Sequence, residues 1–249
     1  MDNNEFKELL LKEHVEINDK QVEQFNTYYK TLIEWNEFMN LTAITEHDDV
    51  MIKHFADSVA IRYAVDKLSE DDEAWGKEFA SLESVIDVGT GAGFPGLPIK
   101  IAFPEYRVML LDSLNKRVKF LNEIITKLNI SDIEAVHSRA EDGARNASLR
   151  EKYDIGVSRA VANMSTLCEY VLPFVRVGGY FVAFKSGNVE EELENASKAI
   201  HVLGGQVIKK YTFNLPDTDI ERTLIFIKKV ESTPKKYPRK AGLPGKEPI

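Results

Sequence analysis

A chain of 249 residues with 43% hydrophobic residues is long enough for one large globular domain or two small ones. No apolar run is long enough to span a bilayer, and the acidic N-terminus lacks the apolar region of a secretory signal, so we expect a soluble cytoplasmic protein. Cys168 is the only cysteine, which excludes an intramolecular disulfide and a multi-cysteine zinc site, and we expect no metal.

The net charge of −8 argues against nucleic acid as a partner, but the charge is unevenly distributed. Residues 1–84 contain 20 acidic and 8 basic residues, whereas the rest of the chain has a net charge of +4. The end of the chain is the most basic part, because five lysines and arginines after position 231 face only Glu247. This asymmetry permits one part of the molecule to contact a polyanion.

The sequence pattern of the first eighty residues predicts helices. Apolar residues at helical spacing indicate one helix in the first dozen residues and another over 22–39, which Asn40 is expected to end. Thr45 and Asp48 have the spacing of a capping box, which predicts that a further helix starts there. The acidic stretch 69–73 is predicted to be a loop or a boundary.

From residue 84 the pattern alternates between strands and helices, which predicts a mostly parallel sheet with right-handed crossovers. The candidate strands are 84–88, 106–111, 132–136, 153–158 and 179–185, with the clearest helices at 97–102, 115–128 and 190–203. Two last strand-like runs, 206–213 and 223–230, predict an antiparallel hairpin at one edge. The expected fold is α/β with a Rossmann-like sheet, divided into a helical N-terminal extension (1–80), a core (81–230) and a basic tail (231–249).

The most informative stretch is the glycine-rich turn after the first strand. Gly91-x-Gly93-x-x-Gly96 matches the dinucleotide-binding pattern, and such a match alone is weak. Asp87, directly before the turn, would repel a pyrophosphate but suits the cationic methionine part of S-adenosylmethionine. The additional Gly89 makes a tighter loop. Both cofactors remain possible here, and these details favour S-adenosylmethionine.

Asp112 lies 21 residues beyond Gly91, at the predicted end of the second strand. An acid at this distance is typical of a residue that accepts hydrogen bonds from the two hydroxyl groups of a ribose. The alternative is that Asp112 only caps the helix that begins near Asn115.

Several segments of the sequence resemble those of a known family. Residues 85–187 resemble class I S-adenosylmethionine-dependent methyltransferases. The segments 87–98, 112–117, 138–141 and 158–160 resemble the bacterial small-subunit rRNA guanine-N7 methyltransferases, a family once called glucose-inhibited division protein B. The resemblance extends to the termini, through 35–36, 40–44, 54–58 and 237–244, and therefore covers nearly the whole chain.

The resemblance implies transfer of a methyl group from S-adenosylmethionine to N7 of a guanine in 16S ribosomal RNA, in the hairpin loop near the decoding centre. N7 has a lone pair and no proton, so the transfer needs alignment more than a general base. The stretch 158–161 lacks the Asn/Asp-Pro-Pro-aromatic motif of many exocyclic-amine methyltransferases. Cys168 lies in a helical apolar pattern and is interpreted as a core thiol instead of a nucleophile.

The resemblance also implies the site residues. Those expected at the cofactor are Asp87, Gly89, Gly91, Gly93, Phe94, Asp112, Ser113, Ala140, Glu141 and Arg159. Arg159 and Lys185 are the candidate catalytic residues, because their positions at strand ends suit contacts with guanine or phosphate. The alternatives are that Arg159 pairs with Asp87 or another local acid, and that Glu141 only starts a helix. Arg139 is a further candidate for a phosphate contact.

Two other features have simpler interpretations. His54, Asp57 and Ser58 carry the letters of a hydrolytic triad, but their helical spacing does not give triad geometry, and they are expected to order the N-terminal helices against the core or to face RNA. The basic tail is either a disordered end or an arm that docks or touches RNA phosphates.

The expected partner is small-subunit ribosomal RNA or a ribosomal particle, and the expected state is a monomer. Two alternatives to the rRNA enzyme stay open. One is a methyltransferase for a small molecule or a protein, which the net negative charge favours. The other is a non-catalytic module that senses a nucleotide.

Overall fold

A computed structural model describes residues 1–159, 162–187 and 189–249. Its N-terminal part is helical, with α1 (Asn3–Lys12), α2 (Asp19–Met39), α3 (His47–Val50), a π-helical segment (Met51–Ala56), α4 (Asp57–Val59), α5 (Ile61–Asp71) and α6 (Glu73–Ala80). The strands are β1 (Ser84–Val88), β2 (Arg107–Asp112), β3 (Ile133–His137), β4 (Tyr153–Ser158), β5 (Val175–Lys185), β6 (Gly205–Asn214) and β7 (Glu221–Lys229). Around them lie α7 (Gly96–Ala102), α8 (Asn115–Leu128), α9 (Ala140–Gly143), α10 (Met164–Val171), a 3-10 turn (Leu172–Phe174), α11 (Glu190–Val202) and α12 (Leu243–Lys246).

The strands form one seven-stranded sheet in the order β3-β2-β1-β4-β5-β7-β6. β1 to β5 pair in parallel, whereas β7 pairs antiparallel to both β5 and β6. The predicted α/β sheet with its terminal antiparallel hairpin is therefore confirmed. Because the parallel strands share a direction, the residues that follow β1, β2, β3, β4 and β5 meet at one edge, where open α/β sheets bind ligands.

The helical extension packs against the sheet. Phe25 and Phe55 of the extension belong to the same buried cluster as Val85 of β1 and Leu97 of α7. A second cluster on the other face of the sheet is formed with α10 and α11, and it contains the fully buried Cys168. Burial raises the pKa of this thiol, as expected for a core residue. The division into extension, core and tail at residues 80 and 230 stays a prediction.

Local predictions of the helices are confirmed in part. Asn40 ends α2 in the left-handed conformation, with φ 50° and ψ 55°. The capping box at Thr45 is wrong, since α3 starts after Glu46 and has no side-chain cap. The stretch 69–73 was predicted to be a loop or a boundary, and it is not a loop, because α5 continues to Asp71. A boundary between two helices does lie there, since Asp72 caps the next helix by accepting from the Trp75 N–H at 3.1 Å. A single capping residue is sufficient to separate two helices.

Candidate functional site

The glycine turn after β1 has two different kinds of glycine. Gly89 and Gly91 have φ of 75° and 62°, and a Cβ at either position would meet no heavy atom within 4 Å. A Cβ at Gly93 would instead lie 2.6 Å from the hydroxyl oxygen of Tyr28. Gly89 and Gly91 therefore leave open space beside the backbone, where a ligand can approach, whereas Gly93 allows the turn to pack against α2.

Asp87 lies beneath this turn and is fully buried. Its Oδ2 accepts hydrogen bonds from the Thr90 hydroxyl at 2.6 Å and the Gly96 N–H at 2.8 Å. Its Oδ1 is buried and has no hydrogen-bond partner among the residues that the structure describes. Burial raises the pKa of Asp87 to about 6, and the two hydrogen bonds oppose this shift. One carboxylate oxygen thus shapes the turn, and the other is buried beneath it without a partner among the described residues.

Asp112 connects the turn to α8. Its Oδ2 accepts from the Gly91 N–H at 2.9 Å, and its Oδ1 accepts from the Leu114 N–H at 2.8 Å. Arg117 lies 3.5 Å from Oδ2. The alternative that Asp112 caps α8 is wrong, because the N-cap residue is Leu114 and no side chain caps the first turn. Since carboxylate oxygens accept more than one hydrogen bond, the ribose contact is compatible with this geometry and stays a prediction.

A cavity of about 370 Å³ opens beside the turn, and we call it the glycine-turn cavity. Five residues from the sequence analysis line it, namely Gly89, Ser113, Arg139, Ala140 and Glu141. Its lining does not include five other residues predicted at the cofactor, namely Asp87, Gly91, Gly93, Asp112 and Arg159. Its volume is within the range of small-molecule sites. The structure therefore brings together residues that follow β1, β2 and β3, as predicted from the strand order.

A second cavity of about 540 Å³ lies along the same edge, and we call it the arginine cavity. Its apolar lining includes Ile44 and Phe184, and His54 also lines it. Its charged lining residues are Lys53, Asp57, Arg159, Lys185, Glu192 and Arg222. Ala162 lines both cavities. The two cavities thus meet at the segment after β4, of which Ala160 and Val161 lie outside the described residues.

Asp57 holds two guanidinium groups at the arginine cavity. Its Oδ2 accepts from Arg159 Nη1 and its Oδ1 accepts from Arg222 Nε, each at 2.9 Å. Asp57 is 2% exposed, so this double ion pair is largely screened from water. The prediction that Arg159 pairs with a local acid is therefore confirmed, and the acid is Asp57. The predicted role of Asp57 in ordering the N-terminal helices against the core is also confirmed.

The side chains of Phe94 and His54 pack against Arg159. The His54 and Phe94 rings stack at a centroid distance of 4.5 Å, and the Arg159 guanidinium lies 5.1 Å from the centroid of Phe94. His54 Nε2 is 2.7 Å from Thr42 Oγ1, and Nδ1 is 3.4 Å from Arg159 Nη2. Burial, followed by the charge of Arg159, lowers the pKa of His54 to about 3, so the imidazole is neutral at pH 7. Phe94 therefore lies beside the arginine cavity and does not line the glycine-turn cavity.

Lys185 also makes hydrogen bonds at the arginine cavity. Its Nζ donates to the Ala162 carbonyl at 2.8 Å and to Glu192 Oε1 at 2.7 Å. These bonds tie the end of β5 to the residue that both cavities share. A contact between Lys185 and a phosphate stays a prediction, and the third N–H of the ammonium could make it.

A family model described as rRNA small subunit methyltransferase G matches residues 21–220. The protein of that name from Lachnoclostridium phytofermentans is 52% identical over 248 residues, covering 100% of this chain and 98% of the relative. The chain belongs to this family. The Exiguobacterium sibiricum member is 45% identical over 249 residues and is covered completely.

A solved structure of a 16S rRNA (adenine(1408)-N(1))-methyltransferase mutant from Catenulisporales acidiphilia shows the same fold outside the family. It is 17% identical, with a TM-score of 0.51, and the match covers 64% of this chain and 91% of that one. This likeness supports the fold assignment alone.

The sequence did not reveal two structural features of this site. Arg222 was not singled out, because it lies in β7 in no recognisable motif, 165 residues from its partner Asp57. The π-helical segment before α4 was also missed, although such segments frequently mark functional sites. The sequence segment that contains His54 and Asp57 indicated this region, but only the fold shows that Asp57 pairs with Arg159 and Arg222.

In the parts of the chain that the structure describes, no helix is long and apolar enough to cross a membrane. A search of the same residues finds no group of three or more His, Cys, Asp or Glu side chains that could hold a metal ion.

Proposed function

We propose that this protein transfers the methyl group of S-adenosylmethionine to N7 of a guanine in 16S ribosomal RNA. The observation that carries the proposal is the pair of cavities that meet at Ala162, in a chain that belongs to the rRNA small subunit methyltransferase G family. The glycine-turn cavity would hold the cofactor and the arginine cavity the guanine. S-adenosylmethionine supplies the methyl group on a sulfonium, which makes it reactive toward a nucleophile.

The glycine-turn cavity and the turn beside it have the features that this cofactor needs. The backbone at Gly89 and Gly91 leaves space for a ligand, and the buried Oδ1 of Asp87 can accept a hydrogen bond from an ammonium group. Asp112 lies at the end of β2, where it can reach a ribose while it fixes the turn. Glu141 and Ala140 would border the adenine.

The arginine cavity suits an acceptor that needs no deprotonation. Two carboxylates, Asp57 and Glu192, are among the described lining residues of the arginine cavity, and both are in ion pairs. The ring nitrogens of His54 lie near Thr42 and Arg159. Among the described lining residues, none is therefore a free general base. Guanine N7 reacts through a lone pair, so in-line displacement requires mainly that the base be aligned with the methyl group.

Arg159 is the residue we assign to the acceptor base or its phosphate. Asp57, Phe94 and His54 fix the position of its guanidinium, and the side chain remains 17% exposed at the cavity. A guanidinium can donate to the O6 of guanine without blocking N7.

The test is methyl transfer to ribosomal RNA in its native particle. We expect the purified protein to transfer tritium from labelled S-adenosylmethionine to small ribosomal subunits isolated from cells that lack the gene. Borohydride and aniline cleavage should then map the product to N7 of one guanine in the hairpin loop near the decoding centre. Label on a protein or a small molecule instead would support the alternative methyltransferase, and cofactor binding without any transfer would support a sensor.

The same proposal includes the setting in which the protein works. A substrate in the ribosome fits a cytoplasmic protein, and a single chain contains both cavities, which fits a monomer. With a modest positive charge outside the N-terminal extension, recognition would rely on the folded shape of the RNA or on ribosomal proteins. Whether naked rRNA or a particle is the better substrate follows from the same labelling assay.

A further inference from the structure

The last seventeen residues, 233–249, form a docked segment that we call the C-terminal segment. Arg150 holds its beginning by donating to the carbonyl of Thr233 at 2.7 Å and to that of Tyr237 at 2.9 Å. Pro244 is buried, and its carbonyl accepts from the Thr166 hydroxyl of α10 at 2.9 Å. The family model ends at residue 220, so its match does not include this segment.

The strongest attachment of the C-terminal segment is an ion pair with α10. The Arg239 guanidinium donates to both carboxylate oxygens of Glu169, at 3.0 Å and 2.7 Å, and the Arg239 backbone N–H donates to Oε1 at 2.7 Å. Glu169 is 0% exposed. A buried carboxylate with three donors from one residue is stabilised only while that residue stays in place, so the pair fixes the segment at Arg239.

Three residues beyond this pair, the segment reaches the glycine-turn cavity. The Gly242 N–H donates to Oε1 of Glu141 at 2.7 Å, and both residues line the cavity. Gly242 has φ 80°, a conformation that directs its N–H toward Glu141 and that other residues rarely adopt. Glu141 is 5% exposed, so water has little access to its carboxylate and the hydrogen bond from the Gly242 N–H is shielded from solvent.

We propose that the C-terminal segment is a wall of the cofactor site, and that Arg239 and Gly242 are positioning residues that orient the Glu141 carboxylate. Arg239 sets the place of the segment on α10, and Gly242 then restricts the carboxylate to one orientation. A ligand that contacts Glu141 meets a side chain that is already ordered, which lowers the cost of binding. The identity of the ligand rests on the proposed function, whereas the wall itself rests on these contacts.

Hydrogen–deuterium exchange of the full-length protein tests the wall directly. We expect saturating S-adenosylhomocysteine to slow exchange in the peptide that contains residues 238–246, and to leave β6 unchanged as an internal control. Binding of the ligand without protection of this peptide would overturn the inference and leave the proposed function intact. If the protein does not bind S-adenosylhomocysteine, the proposed function fails, and the inference fails with it.

Arg239→Ala tests the positioning role. The expected result is a roughly tenfold increase in the Kd for S-adenosylhomocysteine, measured by calorimetry. The double variant Arg239→Ala with Glu169→Gln covers the case in which the unpaired buried charge prevents folding, and it should show the same increase.

Arg176→Ala is the matched control, because it breaks the 2.6 Å ion pair with Asp154 far from the cavity, at the other end of β4 and β5. It should reduce thermal stability without changing the Kd. An unchanged Kd in both Arg239 variants, or an equal increase in the control, would contradict the positioning role.

Discussion

The two cavities share one edge of the sheet but are built from different parts of the chain. The glycine-turn cavity depends on backbone, with open space at Gly89 and a backbone N–H that Gly242 directs at a carboxylate. The arginine cavity depends on charged side chains that Asp57 joins across three separate elements. We infer that the first site is fixed by local turn geometry and the second by long-range ion pairs.

This difference has consequences for the two steps of the reaction. Backbone groups in a rigid turn cost little to order, so they suit a cofactor that binds in one way each time. The arginine cavity presents charged side chains instead, such as Arg159 and Lys185, which suit the guanine and phosphate groups of an RNA acceptor. Changes to one cavity should therefore affect cofactor affinity and changes to the other should affect turnover.

Gly91→Val, in the glycine turn, should have the largest effect, and this effect should be on cofactor affinity. A β-branched residue is strained at φ 62°, and its methyl groups would occupy the space that the ligand needs. We expect at least about a 100-fold loss of S-adenosylhomocysteine affinity by calorimetry. Gly178→Val, at φ 87° near the start of β5, has similar backbone strain and should retain the affinity. Retained affinity in Gly91→Val would refute the backbone origin of the site.

Arg159→Ala should separate turnover from cofactor affinity. Loss of one preorganised donor typically reduces turnover by roughly 100-fold, and we expect this decrease in kcat for methylation of small ribosomal subunits. The Kd for S-adenosylhomocysteine should change less than about threefold, because Arg159 is held on the arginine cavity by Asp57. Full activity would remove Arg159 from the site, and an equal loss of cofactor affinity would show that the cavities are not independent.

The same difference explains what could be predicted from sequence. The strand ends, the glycine turn and Asp112 were predictable, because a parallel sheet gathers the ends of its strands at one edge. Asp57 and Arg222 are 165 positions apart, and neither a spacing nor a motif connects them. A charged residue has many possible partners along the sequence, so its pairing depends on the finished fold.

Local capping was harder to predict than the sheet for a related reason. Thr45 and Asp48 have the correct spacing, but the Thr45 carbonyl accepts from the Tyr29 hydroxyl at 3.2 Å and α3 begins after Glu46. Tertiary contacts of this kind override weak local preferences. The docking of the C-terminal segment likewise depends on α10, which lies 70 residues earlier at the Glu169–Arg239 pair.

The pH dependence of cofactor binding should come from Asp87, which lies beneath the glycine turn. The pKa of Asp87 is about 6, so its carboxylate is charged at pH 7 and mostly protonated at pH 5. A neutral carboxyl cannot attract an ammonium, and the affinity for S-adenosylhomocysteine should fall about tenfold between pH 7 and pH 5.

Unfolding cannot explain this loss through Asp87. A raised pKa means that the folded state holds the proton more tightly than the unfolded state. The resulting stabilisation is present below the ordinary carboxyl value of 3.8 and is lost as the pH rises through about 6. Calorimetric titrations at both pH values, with Asp87→Asn as the control, test the prediction, since this variant should bind with a weak, pH-independent affinity.

Arg222→Ala should have the smallest effect and is the most informative about the arginine cavity. If Arg222 acts only by sharing Asp57 with Arg159, its loss should lower kcat about threefold, and the double variant with Arg159→Ala should be no worse than Arg159→Ala alone. If Arg222 touches the RNA itself, the two effects should multiply, and KM for the ribosomal subunit should rise. Steady-state kinetics of the four proteins distinguish these outcomes, because a positioning residue has no effect once the group it positions is gone.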